Sequence, residues 1–111
     1  MKLMTAVIRP QKLDDVCDAL ERLGVTGLTV IEARGYGRQR RRAEASGHDP
    51  LKSVLRLKIE VAVEDAVADR VEETIAAAAQ TGHPGDGKIF VLDLEDIMRI
   101  RTRERGSAAL S

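Results

Sequence analysis

Aromatic residues are almost missing from this chain: they make up 2% of its 111 residues and are supplied by Tyr36 and Phe90 alone. Modules that bind nucleic acids by stacking bases need aromatic platforms, so the composition speaks against that class. Net charge is missing too, because 18 Lys and Arg balance 18 Asp and Glu. No global field therefore steers the chain toward DNA or an anionic membrane. Cysteine occurs once, at Cys17, which removes disulfides within the chain and cysteine-based zinc sites. No apolar run approaches the roughly 20 residues of a bilayer-spanning helix. The start, MKLMTAVIRP, lacks the apolar stretch of a signal peptide. The expectation is a cytoplasmic protein of one domain, residues 1–111, with one modest core.

What is present is periodicity. KLMTAVIR reads as a short strand closed by Pro10, which withdraws a backbone donor. KLDDVCDALERLG reads as a helix with Leu13, Val16, Cys17 and Leu20 at helical spacing and Gly24 as its stop, so Cys17 is expected in the core. VTGLTVIEARG reads as a second strand. After a loop, VLRLKIEVAV places Leu55, Leu57, Ile59, Val61 and Val63 on one face and Arg56, Lys58 and Glu60 on the other. EDAVADRVEETIAAAAQTG reads as a helix with an acidic first turn and Gly82 near its end, followed by the strand KIFVLDL. The order βαβ, loop, βαβ predicts an α+β, ferredoxin-like βαββαβ sandwich with a C-terminal segment over residues 95–111. LMTAVI and KIFVLDL are apolar on both faces, so the sheet face turned away from the helices needs cover, and a homo-oligomer packing sheet against sheet would supply it.

Two stretches carry the chemistry. The connection GYGRQRRRAEASGHDPLKS, residues 35–53, is too long for a plain loop in a compact domain and is expected to contact a partner. Its Arg38, Arg40, Arg41 and Arg42 offer a nucleic-acid arm only as a weaker alternative on a neutral protein. GHPGDGKI comes near the P-loop pattern, but Ile89 stands where a magnesium-binding hydroxyl belongs. The context also runs from helix to strand, the reverse of a P-loop. A Gly-Asp-Gly turn beside Lys88 still presents backbone N–H groups and a cation to phosphate oxygens. Further on, MRIRTR alternates, so that Arg99, Arg101 and Arg103 would form a row on one face of an extended segment. His48 and His83 are far apart and without carboxylate spacing, and no metal site is assigned to them. Ser46, Ser53 and Ser107 lie in polar segments, and no nucleophile, base and orienting group assemble, so the chain is not expected to be an enzyme.

From Met1 to about Thr102 the chain resembles the PII signal-transduction proteins, the trimeric sensors of nitrogen and carbon status. Thr81, Gly85, Asp86, Gly87, Lys88, Ile89 and Phe90 agree with the family's C-terminal signature, GYGRQ at 35–39 is similar to its G-F-G-R-Q, and RIRT at 99–102 matches its R-I-R-T. The resemblance implies a homotrimer with ATP or ADP in the cleft between neighbouring subunits. Gly85, Asp86, Gly87, Lys88, Arg99 and Arg101 would hold the phosphates, and Thr29, Gly35, Tyr36, Gly37, Arg38, Gln39, Arg56, Glu60 and Ala62 would line the nucleotide site. It further implies magnesium between ATP and 2-oxoglutarate with Gln39 as ligand, with Arg9, Gln39 and Arg56 around the effector anion. Residues 35–53 would be a T-loop that docks on a membrane transporter or metabolic enzyme.

The departures are local. The loop is about two residues shorter than the family's usual T-loop and has no tyrosine to uridylylate. Arg56 replaces the usual lysine, Arg41 a usual glycine, and His83 and Pro84 a lysine and an aliphatic residue. They leave open a sensor of bicarbonate or a related carbon signal. A small-metabolite enzyme on the same fold is the alternative from another class.

Overall fold

The computed structural model of the chain describes residues 1–36 and 53–111. Four strands, β1 (Lys2–Ile8), β2 (Thr29–Gly35), β3 (Val54–Val63) and β4 (Lys88–Asp93), alternate with two helices, α1 (Leu13–Arg22) and α2 (Asp65–Ala79). The strands form one sheet in the order β2-β3-β1-β4, every neighbouring pair antiparallel. Each crossover helix therefore skips one strand, which is the ferredoxin-like arrangement the element order predicts.

Local chemistry explains where the elements stop. Pro10 opens a short 3-10 turn (Pro10–Lys12) that feeds α1, since a proline at a first helical position gives up only a donor with no intrahelical partner. At the other end of α1 the Gly24 N–H donates to the Glu21 carbonyl and the Val25 N–H to the Leu20 carbonyl, both at 3.0 Å. That pairing is a Schellman cap, and Gly24 meets its left-handed requirement with φ +96°.

The core lies between the helices and one sheet face. Met4, Ala6 and Ile8 of β1 and Ile59, Val61 and Val63 of β3 are buried against Val16 and Leu20 of α1 and Ala68, Val71, Ile75 and Ala79 of α2. The strand residues alternate by two, as one buried face requires, and the α2 residues recur at three and four.

Three expectations need correction. Cys17 is half-buried rather than in the core, because the apolar stripe of α1 centres on Val16 and Leu20; burial, then Asp14 and Asp18, push its thiol up. β2 begins at Thr29, not Val25, since residues after Gly24 are spent on the cap and the turn into the strand. Leu55 shares the core face by register yet is 41% exposed, whereas Arg56 on the opposite face is 6% exposed. Pairing with β1 ends at Leu57, while Gly35, the Gly85 turn and Arg9 lie against Arg56.

Candidate functional site

The stretch between α2 and β4 is a turn built around one carboxylate. The Thr81 N–H donates to Asp86 Oδ2 at 2.8 Å and the Gly82 N–H to the same oxygen at 2.9 Å. The Thr81 hydroxyl and Arg9 Nε both donate to Oδ1, the latter at 3.0 Å. Arg9 also reaches the Pro84 carbonyl through Nη2 at 2.8 Å. With these donors in place, the Thr81 hydroxyl first among them, the Asp86 carboxyl is held well below the usual carboxylate range.

The glycines flanking Asp86 are required by geometry. Gly85 has φ +101° and Gly87 φ +100°, values that L side chains rarely adopt. A Cβ on Gly87 would stand 1.6 Å from the Val7 carbonyl oxygen, so the turn lies directly on the end of β1. A Cβ on Gly85 would meet Arg56 Nη2 at 3.0 Å and Arg9 Nη2 at 3.2 Å. Two guanidinium groups thus converge over Gly85. Arg56 spends Nη1 on the Leu55 carbonyl at 3.0 Å, and burial, followed by the neighbouring Arg9 charge, lowers its pKa without discharging it.

Lys88 opens β4 directly opposite Val7, which in turn faces Lys58, and Lys58 faces Ile31. Directly paired residues of an antiparallel sheet share a face, so Lys58 and Lys88 point from the face opposite the helices, about 10 Å apart at normal strand spacing. The next row runs Thr29, Glu60, Thr5 and Phe90, and the one after it joins Ala62, Leu3 and Leu92. The fold therefore brings Thr29, Arg56, Glu60, Ala62 and Lys88 onto one sheet face beside the Gly85–Asp86–Gly87 turn. Gly35 ends β2 next to the Arg56 stem, and Tyr36 is exposed beyond it. Gly37, Arg38, Gln39, Arg40, Arg41, Arg42 and His48 lie outside the described residues.

On the helix side of the same turn a cleft of about 710 Å³ is lined by Asp69, Glu72 and Glu73 of α2 together with Gly87 and Lys88. Three carboxylates oppose an anion in that cleft, whereas Lys58 and Lys88 lie by register on the opposite sheet face. Among the described residues no group of three or more His, Cys, Asp or Glu could hold a metal ion, and no helix is long and apolar enough to cross a membrane.

The arginine row expected over residues 99–103 is not extended. Met98 bridges Arg105, the Arg99 N–H donates to the Glu104 carbonyl at 2.9 Å, and the Arg103 N–H to the Arg99 carbonyl at 2.8 Å. The segment folds back as a tight turn with Arg103 at φ +63°. Arg99 consequently bonds Glu104 Oε1 at 2.6 Å and the Ser111 carbonyl, while Arg101 sits exposed at the tip. Sequence reasoning missed Glu104 as the partner of Arg99, Lys58 as a second cation, and the joint hold of Arg9 and Thr81 on Asp86. The five-residue spacing from Thr81 to Asp86 is the one signal that could have shown the last of these, since threonine and aspartate closing a glycine-rich turn favour such local bonds.

Comparison with known proteins agrees with this geometry. A family model described as Nitrogen regulatory protein P-II matches residues 1–104. The protein of that name from Rhodospirillum rubrum is 48% identical and the one from Rhizobium etli 50% identical, each over 99% of this chain and 100% of the relative. Nitrogen regulatory protein P-II 1 of Escherichia coli is 46% identical with the same coverage. The fold is similar to the crystal structure of Arabidopsis thaliana PII bound to citrate, with a TM-score of 0.83 and 36% identity over 98% of this chain and 88% of that one. On sequence, fold and the placement of the Gly-Asp-Gly-Lys turn together, the chain belongs to the nitrogen regulatory protein P-II family.

Proposed function

We propose that this family member is a nucleotide-dependent signalling protein: a homotrimer that takes ATP or ADP in the clefts between its subunits and reports the occupant to a target through residues 35–53. The observation that carries this reading is the Asp86-centred turn, whose left-handed Gly85 and Gly87 lead directly into Lys88 at the start of the edge strand β4. Backbone donors together with a cation are what phosphate oxygens require. Thr29, Glu60 and Ala62 line the face beside it, the exposed Arg101 would reach a neighbouring subunit, and Gly37, Arg38 and Gln39 would complete the cleft by resemblance. Leu3, Ile31, Phe90 and Leu92 on the same face supply the apolar surface a trimer would cover. A regulatory role rather than catalysis fits the names of the relatives.

The second effector is a small carboxylate-type anion, 2-oxoglutarate or bicarbonate, beside Arg9 and Arg56. Two guanidiniums over Gly85 match a carboxylate in charge and planar geometry, and the Arabidopsis relative was solved with citrate. Magnesium would join the nucleotide and that anion through Gln39. The target is a membrane transporter or a metabolic enzyme.

Calorimetric titration with ATP and ADP, with magnesium and with or without each anion, tests the reading. Both nucleotides should bind, one anion should change the ATP affinity, and Lys88→Ala should weaken binding by about tenfold or more, the worth of a charge-assisted contact. Absence of binding at millimolar nucleotide would end it.

A further inference from the structure

We infer that Arg9 and Thr81 are positioning residues for the phosphate-binding turn, acting through Asp86, whose carboxylate is an internal strut and not a phosphate contact. The identity of the ligand rests on the nucleotide reading above; the strut stands on the geometry alone. An ionised carboxylate offers two oxygens with about four acceptor sites. Thr81 N–H, Thr81 hydroxyl, Gly82 N–H and Arg9 Nε fill them. A carboxylate and phosphate oxygens are both anionic acceptors and repel each other, so what Asp86 contributes is the shape of the turn. The bonds of the turn leave the N–H groups of Gly85 and Gly87 without an acceptor among the described residues.

The two supports differ in what they tolerate. Thr81 acts through its hydroxyl and its amide, and the hydroxyl also accepts the His83 N–H at 3.2 Å. Serine keeps all of these bonds and valine only the amide. Arg9 spans the Pro84 carbonyl and Asp86 with two nitrogens of one rigid fork. Lysine keeps the charge but cannot reach both acceptors in that fixed geometry.

The test titrates the full chain and its Thr81→Val, Thr81→Ser and Arg9→Lys variants with ATP, and follows backbone amide exchange across residues 80–88 without nucleotide. Valine should weaken ATP about tenfold and lysine similarly, while serine should stay within about twofold of the parent chain. The Thr81 and Gly82 amides should exchange faster in the valine and lysine variants. A serine variant as weak as valine, or exchange unchanged by valine and lysine, would overturn the inference. If the parent chain binds neither ATP nor ADP, the nucleotide reading falls, and the exchange comparison alone decides whether Arg9 and Thr81 hold the turn.

Discussion

At Gly87 and Gly24 the backbone takes nearly the same left-handed conformation, φ +100° and +96°, in opposite surroundings. Nothing lies within 4 Å of a Cβ built on Gly24, whereas one on Gly87 would overlap the Val7 carbonyl. Gly24→Ala should therefore cost the conformational penalty alone, about 1 kcal/mol. Gly87→Ala should cost at least twice that, roughly 2 kcal/mol or more, because β1 or the turn must move. Urea denaturation of the two variants compares them, and equal losses would show that the turn does not press on β1. Asp86 offers a second test. Its folded-state pKa lies below the ordinary carboxylate value of about 3.9, so its stabilising effect is complete above that value and is lost as pH falls through the folded-state value. Below about pH 4 the stability of the parent chain should fall more steeply than that of Asp86→Asn, read from denaturation midpoints.

Among the elements, α2 gives the firmest packing prediction. Val71 and Ile75 are wholly buried against β1 and β3. Ile75→Ala should destabilise the fold by roughly 2–5 kcal/mol, the range for large-to-small changes in a filled core, seen as a lower melting temperature. A loss well under 1 kcal/mol would mean that α2 packs loosely. The elements themselves could be read from the sequence because their signals are local: period two in VLRLKIEVAV, helical spacing in α2, Gly24 after α1. The Gly-Asp-Gly-Lys turn could be read for the same reason, and the shared face of Thr29, Glu60 and Ala62 follows from strand alternation. What stayed hidden depended on contacts between distant segments. The family resemblance sets Arg9 near Arg56, but nothing near Arg56 in sequence announces that it will be buried against Gly35 and the Gly85 turn. Likewise the alternation of MRIRTR says strand, but the Arg99–Glu104 pairing folds it into a turn, where tertiary contacts override period.

For the whole molecule the central feature is a sheet with one face filled by helices and the other left with large apolar side chains. Phe90 is 49% and Leu92 50% exposed on that second face. Exposed apolar surface of this kind is commonly covered by a partner, and in the proposed trimer it would lie between subunits. Leu92→Asp should leave the helix-side core intact and dissociate the assembly, lowering the mass in sedimentation from about three chains toward one chain of 12.1 kDa. The most direct test of the account is native mass spectrometry of the chain titrated with ATP, because it reads assembly and occupancy together. Trimers carrying one, two and finally three nucleotides are expected, with occupancy sharply reduced in Lys88→Ala. Monomers under all conditions, or trimers that stay free of nucleotide at saturating ATP, would contradict it.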